Sequence, residues 1–152
     1  MATVDQTMLK VQRILTGPAG LKIQLRGETI SVAFTDISTE VHLRVVDWGK
    51  NKEGEPRSLV LITSPILRGV TPTPALYEYL VREAPRLWFG HVQLYDDTNN
   101  PGTVHLLLSH TLLGDYLDEE ELMAAMYGVM HSADELDDAM QKRFGGKRWK
   151  DQ

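Results

Sequence analysis

The 152-residue chain has no cysteine. That excludes disulfides, thiolate nucleophiles and Cys-ligated zinc or iron–sulfur sites, and it suits a reducing cytoplasm, where we expect the protein to act. Long apolar runs are missing too. Those present, such as Leu59 to Ile62 and Val104 to Leu108 with His105 interrupting it, fall far short of the roughly 20 apolar residues that a membrane-spanning helix needs. The opening Met1-Ala2-Thr3-Val4-Asp5 has no basic region followed by an apolar stretch, so no signal peptide is expected. Positive charge is scarce, with 16 Lys and Arg against 21 Asp and Glu, a net −5 and a pI near 5.5. Nucleic acid and membrane surfaces both favour a basic face, so neither is an expected partner. The short basic and aromatic run Lys147-Arg148-Trp149-Lys150 is too small to reverse that balance.

Catalytic spacing is lacking as well. There is no GxSxG elbow, no HxH or HExxH pair, and no Gly-rich phosphate loop, since Gly145-Gly146 follows a helical pattern instead of opening one. Ser109 and His110 are adjacent, but neighbours on a strand point to opposite faces and cannot form a nucleophile–base pair. Asp96-Asp97-Thr98-Asn99-Asn100 lacks the alternating ligands, sixth-position Gly and closing Glu of a calcium loop, and reads as a turn. His91 and His105 fall on one alternating face of a hairpin, yet no third ligand accompanies them. We assign no catalytic residue, no metal and no cofactor, and expect a protein that is not an enzyme.

What is present is ordinary globular material, 42% apolar and 24% charged. The length fits one domain, 1–152, with an ordered core of about 3–146 and a frayed tail from 147. Thr3 and Gln6 have capping-box spacing before a helix whose apolar stripe is Val4, Met8, Val11 and Leu15, closed by Gly17-Pro18. Alternation follows in Leu21 to Leu25, Ile30 to Phe34 and Val41 to Trp48, which predicts three strands. Leu59 to Ile62 is apolar at every position and predicts a central strand covered on both faces, broken off at Gly69. Pro74 starts a second helix, and Phe89 to Tyr95 pairs with Thr103 to Ser109 across a turn. The last helix, 118–144, opens on an Asp118 cap and carries a stripe of Leu122, Met126, Val129, Ala133, Leu136 and Met140. Asp134, Glu135, Asp137 and Asp138 read as its solvated side. The order is helix, strands, helix, two strands, helix, which predicts an α+β fold with a mostly antiparallel sheet flanked by helices.

The C-terminal half carries a resemblance. Trp88 to Leu94, Val104 to Leu108, His110-Thr111-Leu112-Leu113, Glu121-Leu122 and Ala133-Asp134-Glu135-Leu136-Asp137 resemble YbjN-type domains, bacterial proteins similar in fold to type III secretion chaperones. The resemblance covers about residues 74–146, and the N-terminal half by element order. It implies an α+β domain, often a homodimer, with a sheet packed by helices, and in the chaperone relatives a client segment that wraps the domain surface. It assigns no binding residue.

Two surfaces are candidates for a partner or a second copy. One is the outward set Trp48, Phe89, His91, His105 and Leu107, where aromatic and histidine side chains share a sheet face. The other is a second stripe on the last helix, Met123, Tyr127 and Met130, which makes its apolar arc wider than one contact needs. The expected function is a protein-binding module, chaperone-like or regulatory. The alternative is a regulatory domain sensing a small molecule in a pocket between sheet and helices.

Overall fold

The computed structural model describes residues 2–34, 37 and 39–151, Pro85 by its backbone alone, so that residues 1, 35, 36, 38 and 152 of the expected domain lie outside the described residues. Helix α1, Val4–Thr16, starts on the capping box written in its sequence. The Thr3 hydroxyl accepts from the Gln6 N–H at 3.2 Å, and the Gln6 side chain accepts from the Thr3 N–H at 3.0 Å. Strands β1 (Ile23–Arg26), β2 (Thr29–Ala33), β3 (Glu40–Lys50) and β4 (Pro56–Val70) follow. Helix α2, Pro74–Arg82, has proline in its first turn and the Thr73 hydroxyl accepting from the Leu76 N–H. Strands β5 (His91–Asp96) and β6 (Val104–Leu113) form the second hairpin, and α3, Glu119–Phe144, completes the order. The Asp118 carboxylate caps α3 by accepting from the Glu121 N–H at 2.8 Å.

All strand pairings are antiparallel, in the order β1-β2-β3-β4-β6-β5. The fold is α+β, as the element order predicts. Strand β4 is central, but longer than the apolar run suggests. Gly69 does not end it; with Leu67 and Val70 it forms an irregularity in the register against β6, and pairing resumes at Val70 with Val104.

Helices α1 and α3 lie on one face. Val11 and Leu15 of α1 and Leu122, Met126, Val129, Ala133 and Met140 of α3 close over Val41, Leu43, Val60, Ile62, Leu106 and Leu108. Each large aliphatic side chain removed from water in this layer contributes about 1.5–3 kcal/mol. Polar groups are sealed in as well: the Thr7 and Ser58 hydroxyls lie 2.6 Å apart and join α1 to β4. Gly128 on α3 lets the chain before β5 approach closely, because a Cβ there would meet the Phe89 ring at 2.5 Å.

Covering β4 on both faces was expected, and the structure corrects this. Val60 and Ile62 are buried, whereas Leu59 and Leu61, pointing the other way, are only half-buried. Asp137 also departs from the expected solvated side of α3, for it is buried on the core face next to Met140. Among the described residues no helix is long and apolar enough to cross a membrane.

Candidate functional site: the open face of the sheet

Antiparallel register brings directly paired residues to one face. On the face away from α1 and α3 it builds three rows: Val46, Leu59 and Leu113; Arg44, Leu61 and Thr111; His42, Thr63 and Ser109. Leu107 pairs with Pro65 on one side and Gln93 on the other, and Tyr95 pairs with His105. Leu113 is 40% exposed and Trp48 and Tyr95 somewhat more. Trp48 lies under the Arg57 guanidinium, 4.2 Å from the ring centroid, and Arg57 in turn reaches the Asp115 carboxylate at 3.5 Å. The stack leaves the opposite face of the indole available for an apolar contact.

The face has two halves. Around Trp48, Leu59, Leu61 and Leu113 it is open. Around His42, Pro65, His105 and Leu107 it carries a cleft of about 410 Å³ bordered by Trp149. Histidines here sit beside carboxylates: His42 Nε2 lies 3.5 Å from Glu40 and His105 Nε2 lies 3.4 Å from Asp97. A second cleft, about 450 Å³, is lined by α1, the end of β1 with the turn after it, and β3. Asp5, Glu28, Arg44 and Asp47 give it a mixed, charged lining. Among the described residues no three His, Asp or Glu side chains are grouped as a metal site.

A half-covered antiparallel sheet with helices on its other side is the architecture of a known group of proteins. Residues 6–152 match the family described as T3SS (YopN, CesT) and YbjN peptide-binding chaperone 1, TY-Chap1. The chain belongs to this family. Its fold is similar to a chain in the crystal structure of the ExsC–ExsE complex, with a TM-score of 0.55 and 21% identity over 86% of this chain and 93% of that one. None of the curated proteins matches. The family match extends the likeness to YbjN and the secretion chaperones across nearly the whole chain, beyond the 74–146 stretch whose residues suggest it.

Within the TY-Chap1 fold the predicted surface residues separate. Trp48, His91, His105 and Leu107 do lie on the open face, and His91 pairs with Ser109 at its edge. Phe89 does not. It precedes β5, turns inward against Gly128 of α3, and meets the His110 ring at 5.7 Å. Burial and the neighbouring His91 lower the pKa of His110, whose Nδ1 accepts from the Gly90 N–H at 3.1 Å. The second α3 stripe also divides. Met130 is core, 1% exposed, and Met123 packs half-buried against the same core. Tyr127 stays accessible, with Phe34 and His131 rings on either side at 5.7 and 6.4 Å. The wide apolar arc of α3 therefore serves the core, except at Tyr127.

Other surface apolar residues escape a reading by periodicity. Trp88 is 95% exposed, and Val81 and Tyr77, four residues apart on the outward side of α2, are 74% and 50% exposed. The buried residues of α2 are Leu76 and Tyr79.

Proposed function

We propose that the chain is a non-enzymatic chaperone-like module whose open sheet face takes an extended segment of a partner protein. The observation that supports this most directly is the set of apolar side chains Trp48, Leu59, Leu61 and Leu113 on the sheet face left uncovered by the helices. An extended segment laid across such a face gains contact area through alternate side chains, and main-chain bonds are available at the edge strands β1 and β5. Membership of a peptide-binding family agrees with that use. A homodimer fits the outward side of α2: Tyr77 and Val81, followed by Trp88, are large apolar side chains that a second copy would cover.

The test is capture of the partner from native lysate with wild-type protein and with a Leu61→Asp, Leu113→Asp double variant of unchanged circular dichroism. Loss of the captured chain in the variant is expected, and undiminished capture would move the site elsewhere. Light scattering of Val81→Glu with Trp88→Glu should show a monomer where the wild type is a dimer.

A further inference from the structure

One half of the open face is already partly covered, and by this same chain. The segment after α3, expected to fray, turns back over the sheet instead. Gly146, at φ +85°, makes the turn, and a Cβ there would strike the Arg68 carbonyl and the Val70 side chain, each at 2.7 Å. Lys147 then exchanges both backbone hydrogen bonds with Arg68 of β4, each 2.8 Å. The pairing is a one-residue strand addition. Arg148 and Lys150 are held by carboxylates. Arg148 bonds Asp138 of α3 and, through Nε and a second nitrogen, both oxygens of Asp151 at 3.0 and 3.1 Å. Lys150 Nζ lies 3.9 Å from Asp138. Between these two cations the Trp149 indole reaches the cleft lined by Thr63, Pro65, Tyr95, His105 and Leu107, edge-on to His42 with ring centroids 6.1 Å apart.

We propose that segment 147–151 is a built-in competitor, and that the cleft beneath Trp149 is a subsite for a partner's aromatic residue flanked by Lys or Arg. This deepens the reading of the open face as the peptide-binding surface and rests on it. Three features specify that occupant. The seated segment displays the motif itself, an aromatic between two cations. The flanking cations have a carboxylate to meet, since Asp138 of α3 takes both Arg148 and Lys150 and the chain carries net charge −5, although Arg68 also lines the cleft. The floor of Pro65, Leu107 and Tyr95 offers the apolar contact that an indole or phenol ring fills. Such a partner would lay its backbone where Lys147 now pairs with β4 and displace the strap. The open half near Trp48 would hold the rest of the segment without competition. The strap thus sets a threshold: a segment lacking the flanked aromatic binds the open half alone.

The probe is a fluorescein-labelled, end-capped peptide copying residues 146–151, Gly-Lys-Arg-Trp-Lys-Asp, followed by anisotropy. Tethering gives the strap an effective concentration of about millimolar, so the peptide should bind Trp149→Ala at least about tenfold more tightly than wild type. Gly146→Ala, which unseats the strap but retains Trp149, should show the same gain. Adding Leu107→Asp to Trp149→Ala should abolish binding, as should replacing the peptide's Trp by Ala. Equal affinity for wild type and both variants, or binding that survives Leu107→Asp, overturns the proposal. So does absence of binding to both folded variants. The broader reading is judged separately. If the peptide fails while a captured partner still depends on Leu61 and Leu113, the strap is refuted and the open face stands. If the peptide behaves as expected while capture ignores Leu61 and Leu113, the self-occupied subsite stands and the open half is refuted as the partner's site.

Discussion

Leu106 and Leu107 are consecutive on β6, but they live in different solvents. Leu106 points toward α3 and is fully buried, while Leu107 points the other way and lines a cleft. The same division runs through β4, where Ile62 is sealed and Leu61 is not. Strand periodicity puts half of each strand on either face, so apolar residues at successive positions demand two covers. Here the helices supply one; on the other face Trp149 gives partial cover, and Leu59, Leu61 and Leu113 are left half-buried or exposed. On the proposed reading, the inner face serves stability and the outer face association.

The sharpest test of that division replaces neighbours. Leu106→Ala should lower unfolding free energy by about 2–5 kcal/mol, through lost transfer energy and the cavity left under α3. Leu107→Ala should cost less than about 1 kcal/mol in the same urea titration. Equal losses would mean that the outer face is tightly covered in solution and would break the comparison. A second test concerns the approach of Phe89. Alanine normally favours a helix over glycine by about 1 kcal/mol, yet Gly128→Ala should destabilise by about 1–3 kcal/mol because its methyl meets the Phe89 ring. Adding Phe89→Leu should recover part of that loss, and purely additive effects would argue that the two residues do not touch in solution.

Much of the inner face was legible in the sequence. Capping residues Thr3 and Asp118 each start a helix where their side chains accept a backbone N–H, a local interaction that needs no tertiary knowledge. The stripe Leu122, Met126, Val129, Ala133 and Met140 packs as its spacing says. What failed was non-local. Nothing in Leu59 to Ile62 tells whether one layer of helices or two will cover an apolar strand. Phe89 continues the alternation of β5, but the positive-φ Gly90 at 86° separates it from the strand and turns it to the core. Met130 and Asp137 lie off the assumed stripe because α3 is gripped over an arc wider than one row. The seat of Trp149 depends on a turn at Gly146 and a bridge to Arg68, contacts between residues far apart in sequence.

The smallest expected effect distinguishes the faces by pH. His110 lies on the inner side, half-buried against Phe89, and its ring accepts a hydrogen bond from Gly90. Burial first, and then the nearby His91, hold its pKa below the ordinary histidine value of about 6.5. The unfolded chain therefore binds the proton more readily than the folded one. By linkage, the stabilisation is complete above about pH 6.5 and is lost as pH falls through that value toward the lower folded pKa. Thermal melts should thus drop between about pH 7.5 and about pH 5.5, a window above most carboxylate titration. His110→Asn keeps an acceptor for the Gly90 N–H but cannot take up the proton, so its melting temperature should fall less across the same window. If variant and wild type fall in parallel, His110 is not the group that couples protonation to the inner face.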